Sequence, residues 1–188
     1  MIIWLIFLIY VVIVIWYWKR KPLKKYEKVI LITPIILILL WQLVITQFIM
    51  LPTKISGDDM TPNYINGQLY MINMLAPADQ LKRGDVIIFR AKDNPDSLRI
   101  KRVIGLPGEK VIISNGKVLI NDSILNESYP ASNTKTQPGD AIKEEQALTI
   151  PANQFFVLGD NRDQSKDSRL WGTLPKENII GTIWFRYH

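Results

Sequence analysis

The stretch Lys110-Val-Ile-Ile-Ser-Asn-Gly-Lys-Val-Leu-Ile120 indicates the fold class of most of the chain. Two short, mostly β-branched runs flank Ser114-Asn115-Gly116, and Asn-Gly between such runs is a strong β-hairpin signal. Further β-branched or aromatic runs, bounded by turn residues, lie at residues 68–74, 85–90, 98–104, 154–158 and 179–187. No amphipathic helix of ordinary length is evident among them. The pattern predicts a mainly β domain.

The first 51 residues differ in composition from the rest. Residues 1–18 and 29–50 contain no charged side chain, whereas residues 19–28 are strongly basic. Long apolar runs are typical of transmembrane helices, so helices are expected at about residues 2–18 and 29–51. Basic loops lie on the cytoplasmic side, which predicts a multi-pass protein in membrane lipid with residues 52–188 on the extracytoplasmic side. The alternative, a cleaved secretory signal, fits poorly because the basic residues follow the first apolar run.

Charge and composition exclude several classes of function. Residues 19–28 contain six of the 23 basic side chains in the sequence and one of the 17 acidic side chains. The rest of the chain is therefore nearly neutral, and nucleic-acid binding is not indicated. There is no cysteine, and the single histidine is His188. A thiol nucleophile and a disulfide are therefore excluded. A histidine triad and a multi-histidine metal site are disfavoured, and no metal or cofactor is expected.

Three segments of the predicted β domain could carry chemistry. They are residues 55–62 (ISGDDMTP), 99–108 (RIKRVIGLPG) and 159–172 (GDNRDQSKDSRLWG). Each has an ordinary interpretation alone: an acidic turn, a strand with a solvated lysine, and a loop held by Asp–Arg pairs. The chemical interpretation needs a nucleophile beside a lysine that is buried enough to be neutral. The polar residues 126–146 are expected to form a flexible insertion.

Together these segments resemble the bacterial type I signal peptidases, membrane-bound serine endopeptidases that remove signal peptides from exported pre-proteins after small-x-small sites. The family motifs are Gly-x-Ser-Met-x-Pro, Arg/Tyr-x-Lys-Arg-x-x-Gly-x-Pro-Gly and Gly-Asp-Asn-x-x-x-Ser-x-Asp-Ser-Arg-x-x-Gly. The third matches at every fixed position, and residues 84–86 match a further Gly-Asp-Val box. The resemblance implies an all-β catalytic domain of coiled antiparallel sheets, with signal peptides as binding partners.

The resemblance also implies roles for individual residues. Lys101 would be the general base, and Ser165 would orient it. A polar framework would hold the third segment against the lysine strand, and shallow apolar pockets would accept small substrate side chains. Residues 53–57 would pair with the substrate as an added strand. The framework residues are Asp160, Arg162, Asp167, Arg169 and Arg102, and the substrate-binding residues are Ile55, Gly57, Met60, Tyr64 and Ile100.

The sequence departs from the family at the nucleophile position, where Asp59 replaces serine. Ser56 does not restore the motif, because it lies three residues too early. A carboxylate is a poor nucleophile toward an amide, and its charge favours the protonated form of Lys101. The chain is therefore expected to be catalytically silent or nearly so. Three readings stay open: an active endopeptidase, a pseudopeptidase that binds signal peptides or a partner peptidase, and a structural or adhesive domain.

Overall fold

A computed structural model describes residues 2–20, 24–44, 50–76, 78–91, 97–130 and 134–187. The chain divides into two compact units, Met1–Gln47 and Phe48–His188. The first unit contains the helices α1 (Ile2–Arg20) and α2 (Lys25–Val44). Glu27 accepts a hydrogen bond from the Lys24 N–H at 2.9 Å, which satisfies a donor left free at the start of α2.

The predicted membrane-spanning helices find no support in the structure. Within the part of the chain that the structure describes, no helix is long and apolar enough to cross a membrane. The expectation that the second helix continues to residue 51 is wrong, because Met50 and Leu51 begin a strand and pair with Asn73 and Ile72. Residues 45–49 lie outside the described residues. The predicted placement of residues 19–28 and 52–188 relative to a membrane stays a prediction.

The second unit is mainly β, as the sequence predicts, and consists of two antiparallel sheets. One sheet has the strand order β1-β2-β11-β3-β4-β9-β10 and the other β7-β6-β5-β8. A single helical turn, α3 (Ser168–Trp171), follows β9. The strands among the described residues are β1 (Met50–Lys54), β2 (Leu69–Asn73), β3 (Val86–Arg90), β4 (Leu98–Gly105), β5 (Lys110–Ser114), β6 (Lys117–Ile120), β7 (Ser123–Ile124), β8 (Leu148–Thr149), β9 (Gln154–Leu158), β10 (Leu174–Pro175) and β11 (Ile179–Arg186).

The hairpin that indicated the fold forms as predicted. Strands β5 and β6 pair up to Ser114 and Lys117, and the two turn residues Asn115 and Gly116 have φ of 52° and 76°. Positive φ at both positions is the type I′ geometry that matches the twist of the flanking strands. Register shifts in β4 and β11 mark bulges, which increase the twist and curl the larger sheet.

Buried apolar side chains from both sheets form the core of the second unit. One cluster joins the smaller sheet to β9 through side chains such as Val111, Ile113 and Phe156. A second cluster, around Phe89 and Val103, lies in the larger sheet. The described residues of segment 126–146 contain no strand or helix, yet Thr136 and Ile142 are buried. Both clusters include side chains of β4 and β9, and thereby fix the two strands beside the polar site.

Candidate active site

Lys101 lies in the middle of β4 and is completely buried. The strand pairs with β3 on one side, where Lys101 is opposite Ile87, and with β9 on the other. The interpretation of Lys101 as a solvated strand residue is therefore wrong. Burial lowers the pKa of Lys101 below its usual value of 10.5, because the charged ammonium is removed from water.

Asp59 is the partner of this lysine. Its Oδ2 lies 3.0 Å from Lys101 Nζ, and its side chain is 28% exposed, so the carboxylate reaches the surface while the ammonium does not. The charge of Asp59 raises the pKa of Lys101 and opposes the effect of burial, which remains the larger of the two. The two residues that sequence analysis placed at the base and nucleophile positions are thus in contact, as an ion pair.

The loop after β9 is held together by Asp167 and Arg169, both buried. The Arg169 guanidinium donates to both carboxylate oxygens of Asp167, at 2.8 and 2.9 Å. Asp167 also accepts the Gly159 N–H at 3.0 Å and caps α3 by accepting the Arg169 N–H. Nη2 of Arg169 also donates a hydrogen bond to the Arg162 carbonyl at 2.7 Å. This pair therefore connects Gly159 at the start of the loop to α3 at its end. Because both side chains are buried, the pair is not an exposed surface ion pair.

A second pair joins the loop to the lysine strand. Arg102 donates to Asp160 through two nitrogens, at 2.8 and 2.5 Å, and to the Gly84 carbonyl at 2.8 Å. Because Arg102 follows Lys101 directly, this bidentate contact fixes the strand that carries the lysine. The Asp160 carboxylate also accepts a hydrogen bond from Asn63 Nδ2 at 2.8 Å.

Arg162 connects the same loop to the segment that sequence analysis treated as an insertion. Its Nε donates to the Gly159 carbonyl at 3.0 Å, and its other nitrogens contact the Glu127 carboxylate and the Thr136 hydroxyl. Glu127 and Thr136 were not identified from the sequence, because no local signal links a polar loop to an arginine far along the chain. The five framework residues named from the resemblance all take part in this network.

Ser165 is buried in the same loop. Its Oγ has no hydrogen-bond partner among the described residues, and the orienting role toward Lys101 that the resemblance implies stays a prediction. Gly159 explains why the serine fits: a Cβ at this glycine would lie 2.2 Å from Ser165 Oγ and 2.5 Å from the Asp59 carbonyl oxygen. Because Gly159 has no side chain, Ser165 Oγ and the Asp59 carbonyl oxygen can both lie close to its α-carbon.

The apolar residues named as substrate pockets come together in one cluster. Ile55, Met60 and Ile100 are buried there with other core side chains, and Tyr64 packs against them half-buried. Gly57 has a φ of +98°, which lies in the region that favours glycine. Beside the cluster is a cleft of about 350 Å³ whose lining is polar, with residues that sequence analysis partly missed: Gly57, Asp58, Asp59, Arg99, Gln164 and Lys166.

The arrangement is that of a buried lysine, a carboxylate paired with it and a hydroxyl without a partner among the described residues, close to a polar cleft. It holds no histidine or cysteine, and over the described ranges no group of three or more His, Cys, Asp or Glu side chains could hold a metal ion. Lysine, carboxylate and hydroxyl side chains in this arrangement are suited to proton transfer and acyl transfer.

Comparison with known proteins identifies similar chains. A family model described as "Signal peptidase, peptidase S26" matches residues 26–188. Signal peptidase IB of Staphylococcus aureus (strain Mu50) is 33% identical over 156 residues, which cover 77% of this chain and 81% of the relative. Signal peptidase I of Leptolyngbya laminosa is 37% identical over 151 residues, covering 76% and 71%. A crystal structure of a signal peptidase I from Enterococcus faecalis V583 is 34% identical and covers 55% of this chain and 96% of its own, with a TM-score of 0.47.

Proposed function

Because the chain belongs to the signal peptidase, peptidase S26 family, we propose that it binds signal peptides of exported pre-proteins at the substrate site and does not cleave them. By family the protein is a peptidase. The observation that carries the proposal is the ion pair between Lys101 Nζ and Asp59 Oδ2 at 3.0 Å. The motif resemblance assigns these two positions to the Ser–Lys dyad of the family, and their contact in the structure supports the proposal.

The ion pair removes two requirements of the peptidase reaction. A carboxylate has no hydroxyl proton for Lys101 to accept, and its attack on an amide would give a mixed anhydride that is more reactive than the starting bond. The same carboxylate favours the ammonium form of Lys101, which cannot act as a base. Both effects act before the first covalent step, so the acyl-enzyme does not form.

The neighbouring hydroxyls do not replace the missing serine. The Thr61 Oγ1 donates to the Asp58 carbonyl at 2.9 Å and accepts from Asn161 at 3.0 Å, so both its donor and one acceptor site are used. Ser165 is not hydrogen-bonded to the lysine. Ser56 is exposed and lies outside the Lys101–Asp59 contact.

Peptide binding is supported by the sheet edge beside the site. Strand β1 lies at the end of the larger sheet, and its one partner among the described strands is β2. The Ile55 N–H donates to the Gln68 carbonyl at 3.0 Å. Since N–H groups alternate in direction along an antiparallel strand, the Lys54 N–H is directed away from β2. An extended peptide could add there as a further strand and reach Asp59.

A peptide-binding measurement tests this function. A labelled peptide with an Ala-x-Ala site is titrated with the unmodified chain, followed by fluorescence anisotropy, and the peptide is then checked by mass spectrometry. We expect saturable binding and an intact peptide. Lys54→Pro should weaken binding about three- to tenfold, because it removes one edge N–H worth roughly 0.5–1.5 kcal/mol.

Lys54→Ala is the matched control, because it removes the same side chain and keeps the N–H group. It should bind within about twofold of the unmodified chain. Equal binding by the proline and alanine variants would refute the edge-strand site. Cleavage of the peptide by the unmodified chain, at a rate that follows the purified protein, would show that this member is an active endopeptidase.

A further inference from the structure

Asn161 links the loop after β9 to the turn that carries Asp59. Its backbone N–H donates to the Asp59 carbonyl at 2.9 Å. Its side-chain Nδ2 donates to the Asp58 carbonyl at 3.1 Å and to the Thr61 Oγ1 at 3.0 Å. One residue therefore contacts three of the four residues in the turn Asp58–Thr61, across about one hundred positions of sequence.

The turn Asp58–Thr61 also has a close backbone contact with Gly159, in the same loop as Asn161. The α-carbon of Gly159 approaches so closely that a Cβ there would lie 2.5 Å from the Asp59 carbonyl oxygen. This oxygen is thus held between Gly159 and the Asn161 N–H. Within the turn itself, the Thr61 N–H donates to the Asp58 carbonyl at 3.2 Å.

We propose that Asn161 is a positioning residue that fixes the backbone of residue 59 and thereby sets the contact between its side chain and Lys101. The inference rests on the proposed function in one respect, namely that positions 59 and 101 form the reacting pair of the family. An alternative is that Asn161 only closes its own loop, since its Nδ2 is also 3.4 Å from Gln164 Oε1. The two roles of Asn161 predict different effects on the pKa of Lys101.

The lysine reports the position of residue 59. Asp59 and Asp167 raise the pKa of Lys101, whereas burial and Arg99 lower it. If loss of the Asn161 side chain lets the turn move away, the contribution of Asp59 weakens and the pKa of Lys101 falls. If Asn161 acts only within its loop, the protein loses stability and the pKa of Lys101 stays the same.

The test is an NMR titration of the Lys101 side chain in the full-length protein, with Asn161→Ala beside the unmodified chain. We expect a lower pKa in the variant, shifted in the direction that Asp59→Asn produces. Asn63→Ala is the matched control: its Nδ2 also donates twice, to Asp160 and to the Tyr129 carbonyl, and within the described residues neither bond reaches the turn Asp58–Thr61. The pKa of Lys101 should be unchanged in that control.

Thr61→Val tests the same contact from the other side and serves if Asn161→Ala does not fold. It should lower the pKa of Lys101 in the same direction, and the double variant should shift it by less than the sum of the two. A pKa that is unchanged in both folded single variants would overturn the inference, whatever happens to the melting temperature.

A second readout separates this inference from the proposed function. In an Asp59→Ser background, Asn161→Ala should lower kcat about tenfold to a hundredfold and leave KM within about twofold, because a misplaced nucleophile affects the chemical step. If Asp59→Ser alone is inactive, the account of Asp59 fails, yet the NMR titration still decides the role of Asn161. Equal changes in KM and kcat, with no pKa shift, would refute positioning.

Discussion

Replacing Asp59 by asparagine removes the carboxylate that lies 3.0 Å from Lys101 Nζ and keeps the size of the side chain. Removal of one partner from a fully buried ion pair destabilises a protein by about 3–5 kcal/mol. Here 28% of the Asp59 side chain is exposed, and burial already favours the neutral lysine. We therefore expect a smaller loss in the free energy of unfolding, about 1–3 kcal/mol at pH 7.

The loss should depend on pH in a defined direction. Asp59 raises the pKa of Lys101, so its stabilising contribution is present while the lysine is protonated and disappears as the pH rises through the pKa of the folded protein. Because burial keeps that pKa below 10.5, the difference between the two proteins should shrink between neutral pH and this value.

Urea unfolding followed by circular dichroism, repeated over this pH range, measures the effect. Asp58→Asn is the matched control: it removes the neighbouring exposed carboxylate and should change stability by less than about 0.5 kcal/mol. If Asp59→Asn is as stable as this control at pH 7, or if its deficit grows as the pH rises, the ion pair does not stabilise the fold and the reasoning is wrong.

Two further predictions concern the loop after β9. Gly159→Ala should destabilise the protein by about 1–3 kcal/mol, since its Cβ would lie 2.2 Å from Ser165 Oγ; calorimetry that shows no change would contradict this contact. Arg102→Lys should lose about 1–3 kcal/mol in urea unfolding, because lysine cannot make the two bonds to Asp160. Lys110→Gln, which removes a more exposed pair, should lose less than about 0.5 kcal/mol, and an equal loss in both variants would refute the argument from burial.

The fold of the β unit could be predicted where the sequence contains enough residues to show a pattern. All seven predicted strands are present, because each short run rich in β-branched or aromatic residues is bounded by turn residues. Strands β7, β8 and β10 have two residues each and cannot show alternation. Strand β1 was missed because Met50 and Leu51 extend the apolar run before them.

The contacts of the candidate site could also be predicted only in part from the sequence. The contact between Asp59 and Lys101 followed from motif positions, and so did the Asp–Arg framework. The role of Asn161 did not, because asparagine in a turn is common and its partners lie about one hundred positions away. The isolated Ser165 hydroxyl was also not anticipated, since the side-chain position at this site depends on Gly159 and the packed loop.

The most direct test of the account is cleavage of a pre-protein with an Ala-x-Ala site by the unmodified chain and by Asp59→Ser, side by side. The account predicts no cleavage by the unmodified chain and cleavage by the serine variant, with a rate that increases with pH because Lys101 must be neutral to act as the base. The double variant Asp59→Ser, Lys101→Ala should be inactive, which excludes a contaminating protease. Cleavage by the unmodified chain at a rate comparable to that of the serine variant would contradict the account.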